Sequence, residues 1–166
     1  RRTCLLDPYE DTVAGKTVLM TTIALPLLLD GKVIGVLGVD IALDTLQSAT
    51  DAAQKDLFNG AAHVEILSSS GLIAAYSGES GKVGKNLIDI LGAEGKEIVQ
   101  LLASDTRMIR EQDDTIRAVY PVKPVADAKS WGVVIKLSKA VLLADNVKLQ
   151  AVLDKAQIGR ASCRER

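Results

Sequence analysis

The most regular feature of the chain is a pair of apolar, β-branched runs at residues 17–29 and 33–41, separated by Asp30-Gly31-Lys32. Runs of this length and composition read as strands, and Asp-Gly accepts the positive φ angles of a tight turn, so a β-hairpin is predicted. Gly35 and Gly38 fall inside the second strand, where a missing side chain weakens the strand unless something packs closely against it. Close helix-to-sheet packing is the expected reason. From Leu43 the period lengthens: Leu43, Leu46, Ala49, Ala53 and Leu57 recur at three and four residues, as in a helix with one apolar stripe that ends near Asn59-Gly60. Asp44 is its expected N-terminal cap.

Alternation returns at 63–67 and 72–76, with turn chemistry at 68–71, which predicts a second hairpin. A glycine-rich polar loop (77–85), a short helix (87–91) and a better one (94–103, with Ile98, Leu101 and Leu102 on one face) follow. Residues 115–122 and 131–137 read as strands joined by a loop carrying Pro124, and 140–156 as a long helix. The order repeats loosely. A strand with a late proline (Pro26, Pro121) precedes an apolar residue with Gly-Val (Ile34-Gly35-Val36, Trp131-Gly132-Val133) and then a helix. Two such units predict an α+β chain of two tandem modules, each an antiparallel sheet covered by helices on one side, the first module incomplete.

Composition adds exclusions. The chain has 166 residues, is 48% hydrophobic and carries a net charge of -1, so it can bury a core but offers no basic surface for nucleic acid. No apolar run reaches the ~18 to 20 residues that span a bilayer. Cys4 and Cys163 stand near opposite ends, in neither a metal-ligand spacing nor a disulfide framework. Residues 158–166 (IGRASCRER) break the preceding pattern and read as a non-native tail; residues 1–4 read similarly.

Catalytic chemistry is not evident. His63, the sole histidine, opens a predicted strand, and no G-x-S-x-G elbow accompanies it. Asp113-Asp114 reads as a solvated hairpin tip, and the glycines from Gly78 to Gly84 lack the Lys-Ser/Thr ending of a phosphate loop. No enzyme, cofactor or metal site is expected. Trp131 is expected in the core of the second module, and Lys123 and Lys129 in a solvated loop.

The run DPYEDTVAGKTVLMTTIALPLLLDGKVIGVLGVDIALDTLQ resembles the double Cache (dCache) extracytoplasmic sensor of bacterial methyl-accepting chemotaxis receptors. It has a Pro-Tyr element, a threonine-rich strand ending in proline, a short turn, and G-V-x-G-x-D-I-x-L leading into a helix. HVEILSSSGLIAAYS, RAVYPVKPV and WGVVIKLSKAVLLA resemble the smaller membrane-proximal module. The resemblance implies two Cache (PAS-like) modules: 7–57 as the C-terminal part of the membrane-distal one with a linking helix, 58–139 as the proximal one, and 140–157 as a helix leading to a transmembrane segment. It also implies a periplasmic portion of an inner-membrane receptor, homodimeric, that binds a small amine, polyamine or amino acid. By position, Tyr9 and Asp40 would grip the ligand's amino group, with Asp11 added from the loop after the tyrosine. A carboxylate facing an ammonium is a charge-assisted pair, and an aromatic face adds cation–π attraction. Glu10, Asp11 and Asp40 together would make an acidic pocket that leans towards amines. The family's arginine and Trp-Tyr pair lie N-terminal to the Pro-Tyr element, outside this chain. The alternatives are a dCache input to a histidine kinase or cyclic-di-nucleotide enzyme, and a non-signalling interaction module. For Asp40 the simpler alternative is a helix cap.

Overall fold

The computed structural model describes residues 3–78 and 80–144. Two antiparallel sheets are joined by one helix. The first contains β1 (Cys4–Leu5), β2 (Tyr9–Val13), β3 (Lys16–Leu29) and β4 (Lys32–Ala42). β3 is central: β1 and β2 lie end to end along one edge, and β4 pairs with the other. The β3–β4 turn places Asp30 at φ 49° and Gly31 at φ 78°, two consecutive positive angles that match the right-handed twist of the flanking strands. Ile34 is the extra residue of a bulge, between the pairs Leu27↔Gly35 and Leu28↔Val33. Pro26 is tolerated in β3 because of its direction. Thr22 O accepts from Leu6 N, so by two-residue alternation the Pro26 nitrogen faces the same side, beyond the last β1 pair Cys4↔Ala24.

The predicted helix-to-sheet packing at the two β4 glycines is not what the structure shows. A Cβ on Gly35 would meet Leu27 Cδ1 at 3.6 Å, and one on Gly38 would meet Thr22 Cγ2 at 3.4 Å, both neighbours within the same sheet. The predicted cap is also corrected. Helix α1 (Leu43–Asp56) has Ala42 at its N-cap with no side-chain cap bond, and Asp44 sits in the first turn, where its charge complements the helix dipole.

The second sheet has the order β6-β5-β9-β8-β7, from β5 (His63–Leu67), β6 (Ile73–Tyr76), β7 (Met108–Gln112), β8 (Thr115–Val122) and β9 (Trp131–Ser138). Contrary to the one-sided expectation, both of its faces are covered. On one, Leu67, Val119 and Val134 pack with Leu87, Ile98 and Leu102 of α2 (Leu87–Leu91) and α3 (Ala93–Ala103). On the other, Trp131 and Ala74 pack with Leu43 and Leu46 of α1 and with Leu5 and Leu19 of the first sheet. Trp131, 5% exposed, therefore belongs to the joint between the sheets. An apolar crevice of about 190 Å³ lies there, lined by residues including Leu5, Ile23, Ile41, Ile66 and Trp131. The joint is also pinned by polar bonds. Gln47 of α1 donates from Nε2 to Tyr76 O (2.8 Å), and its Oε1 accepts from Tyr76 N (3.0 Å), giving the edge strand β6 the partner it lacks.

Three cations stand opposite one another across the second sheet: Lys136↔Arg117 and Arg117↔Arg110 are register pairs. Like charges so placed repel. Each is answered by a carboxylate: Lys136 by Glu65, Arg117 by Glu94 and Arg110 by Glu97, the last two from α3. The Arg110 hydrogen bonds hold the Glu97 carboxyl below its ordinary range, against the opposing effect of desolvation. Lys123 is not simply solvated: its ammonium lies 2.6 Å from Asp105, and this bond, followed by that of Ser130, lowers the Asp105 carboxyl.

α3 fits against α2 through Gly95, where a Cβ would lie 2.6 Å from Leu87 O and 2.8 Å from Ile88 Cα. These are backbone atoms that cannot swing away. Gly95→Ala is therefore expected to destabilise the chain by about 1–3 kcal/mol, although alanine is the better helix former by ~1 kcal/mol. A urea-denaturation midpoint equal to the parent's would refute this packing.

The last described helix, α4, covers 139–144. Ser138 Oγ accepts from Val141 N at 3.3 Å, and Lys139 N donates to Asp114 O at 2.7 Å, so the helix starts as a capped extension of β9 tied to the β7–β8 turn. The remainder of the helix predicted to 157, and the tail 158–166, lie outside the described residues.

Candidate functional site

Strand alternation places Tyr9, Asp11, Met20, Thr22, Gly38 and Asp40 on one face of the first sheet, because Tyr9↔Met20 and Thr22↔Asp40 are register pairs. The opposite face, bearing Leu19, Ile23 and Ile41, turns towards the second sheet. Tyr9 and Asp40, 31 positions apart in the sequence, are joined through Thr22. The Tyr9 hydroxyl lies 2.5 Å from Thr22 Oγ1, and Thr22 Oγ1 donates to Asp40 Oδ1 at 2.6 Å. The hairpin turn and the β3–β4 register make this meeting possible; shifting that register by one residue would send Asp40 to the other face. Thr22 is 8% exposed, Tyr9 half-buried and Asp40 exposed.

The cap reading of Asp40 fails, since Ala42 is the N-cap and Asp40 spends its bond on Thr22. Asp11 lies on strand β2 and not in the expected loop. It is exposed, and its Oδ1 accepts from its neighbour Thr12 N at 2.7 Å, so it shares the face without joining the chain of bonds. Glu10 pairs with Leu19 and so projects from the other side of β2, which removes it from the acidic group expected around Asp40. His63 stacks on Tyr76 with 6.2 Å between ring centroids, its Nδ1 3.3 Å from Ser77 O, far in sequence and fold from this face.

Thr22 is the site residue that sequence reasoning missed. In a strand rich in β-branched residues a threonine carries no special signal; the register alone sets it between the tyrosine and the aspartate. Its neighbour Thr21 faces the joint and donates to Leu6 O at 2.6 Å.

Comparison with known proteins agrees with the topology. Residues 2–48 match the family model described as methyl-accepting chemotaxis protein-like, first PDC sensor domain. Over 91% of its length the chain is 41% identical to methyl-accepting chemotaxis protein TlpQ of Pseudomonas aeruginosa, of which it covers 21%. The periplasmic sensory domain of the Campylobacter jejuni chemoreceptor Tlp1 superposes with a TM-score of 0.69 at 19% identity, over 86% of this chain and 51% of that one. The extracellular domain of the histidine kinase mmHK1S-Z3 gives 0.71 at 22%, over 89% and 53%. The chain thus spans about a fifth of its curated relative and about half of these structures. Fold and sequence together define an α+β extracytoplasmic sensor domain of the Cache class. Within that class, its sequence kinship is with methyl-accepting chemotaxis receptors.

Proposed function

We propose that the chain is part of the periplasmic ligand-sensing region of a membrane-anchored, homodimeric chemotaxis receptor, and that it contributes one wall of the site for a small amine, polyamine or amino acid. The observation that carries this reading is the junction of Tyr9 and Asp40 through Thr22 on one sheet face. Asp40 faces the ligand ammonium, the Tyr9 ring supplies an aromatic surface, and Asp11 adds negative charge farther along β2. Bound ligand favours one of two pre-existing arrangements of the β3–β4 hairpin. α1 starts three residues after Asp40 and is latched to β6 by Gln47, so a shift of the hairpin reaches the second sheet and then α4. Because the histidine kinase mmHK1S-Z3 has the same fold, a kinase output is the second reading, which the sequence of the cytoplasmic region distinguishes.

The test is calorimetric titration of the full-length receptor in membrane vesicles with primary amines and amino acids. Asp40→Ala is expected to weaken the best ligand about tenfold or more, the loss of one hydrogen bond to a charged group. Binding at parent strength in that variant would refute the assignment.

A further inference from the structure

We propose that Thr22 sets the hydrogen-bond polarity of the Tyr9–Asp40 site, so that the site accepts ligand N–H donors and turns carboxylates away; this rests on the site assignment above. A threonine hydroxyl has a single proton, and an ionised carboxylate only accepts. The 2.6 Å contact between Thr22 Oγ1 and Asp40 Oδ1 therefore consumes the Thr22 proton. The 2.5 Å contact between Thr22 Oγ1 and the Tyr9 hydroxyl can then be made only by the phenolic proton. Both protons point inward along the chain Tyr9→Thr22→Asp40.

What remains for a ligand is of one kind. The Tyr9 oxygen has a lone pair left and Asp40 has its second oxygen, and each is an acceptor. An ammonium brings three donors to this surface, whereas a carboxylate would meet acceptors alone and find no hydrogen bond. The burial of Thr22, 8% exposed, limits the access of water that could reverse the order. Gly38 keeps the place open. It pairs with Ala24, one same-face position along from Asp40, and a side chain there would rise beside the aspartate. Thr22 is in this sense a positioning residue: it orients the two groups that touch the ligand.

The test uses the full-length receptor and amine–acid pairs of matched carbon skeleton: putrescine with succinate, ethylamine with acetate, and 2-phenylethylamine with phenylacetate. The parent is expected to bind an amine of the set more tightly than its acid. Thr22→Ser, which keeps the hydroxyl, is expected to stay within about threefold of the parent, and Thr22→Val, which keeps the shape, to lose about tenfold or more in amine affinity. Thr22→Val should also narrow the amine-to-acid ratio. Thr21→Val, which removes a buried hydroxyl from the opposite face, should leave that ratio unchanged. The proposal is overturned if the parent prefers the acids or binds no amine of the set, if Thr22→Val keeps the parent ratio, or if Thr21→Val narrows it equally. Asp40→Ala separates the two ideas: loss of binding there with no effect of Thr22→Val overturns the role of Thr22 alone, and unchanged binding there overturns the site itself.

Discussion

Lys136→Met is expected to destabilise the second sheet by about 3–5 kcal/mol, and adding Glu65→Leu to recover most of that loss. Glu65 is 2% exposed, its Oε1 is bonded to the Lys136 ammonium, and its Oε2 has no hydrogen-bond partner. Removing the ammonium leaves a buried carboxylate without its bonded cation, so desolvation is no longer offset. Arg117, the next cation along the row, is engaged by Glu94 and cannot be spared for Glu65 without freeing another charge. In the double variant both charges go and apolar side chains meet the Val134 and Leu67 layer, where burial is favourable. Urea denaturation of the two single variants and the double variant measures the cycle. A loss under about 1 kcal/mol for Lys136→Met would show that the Glu65 carboxyl does not depend on this ion pair and would sink this account.

That pair also shows where sequence reading stops. His63 to Leu67 alternates well enough to be read as a strand, yet nothing in HVEIL says that Glu65 points into the protein; its partner stands 71 positions away. The β3–β4 hairpin and α1 were legible because their signals are local: Asp-Gly between two apolar runs, and leucines and alanines at three- and four-residue spacing. β2 and β7 were not named as strands because YEDTV and MIREQ are mostly exposed and lack an apolar face to reveal the period. The turn joining β2 to β3, Ala14 at φ 49° followed by Gly15 at φ 77°, has the geometry of the Asp30-Gly31 turn, but alanine is a poor advertisement for positive φ. The placement of Asp11 in a loop follows from that omission, and so does the failure to see Glu10 turned away.

Tyr9 and Asp40 were legible as candidates through resemblance, and the distance between them was not. Their junction depends on two registers, β2 on β3 and β3 on β4, each fixed by a two-residue turn. The same registers choose Thr22 over Thr21. Chemistry at this site is thus a property of the sheet more than of any motif, and a one-residue slip in either register would break the Tyr9–Thr22–Asp40 chain.

The 166-residue chain on its own is expected to self-associate through the β3–β4 hairpin, and Val36→Lys with Val39→Lys to return it to monomer. Among the described residues, β4 has β3 on one edge and no strand on the other, which leaves a row of unpaired backbone groups. The side chains around this edge are apolar on both faces: Val36 is 66% exposed and Val39 54%, with Ile34 and Leu37 similarly open. An extended exposed patch of this kind marks a surface that binds something, and a second copy of the hairpin satisfies both its backbone and its side chains. Burying one valine contributes about 1.5–3 kcal/mol, so losing two on each copy and adding charges to the edge should raise the dissociation constant at least ~100-fold. Neither lysine disturbs the fold of the chain, since both positions already face solvent and neither belongs to a core cluster. Sedimentation velocity over a concentration series reads the result. A parent chain that stays monomeric throughout would refute the reading, as would a double variant that associates as strongly as the parent, because the contact would then have to lie on some surface other than β4.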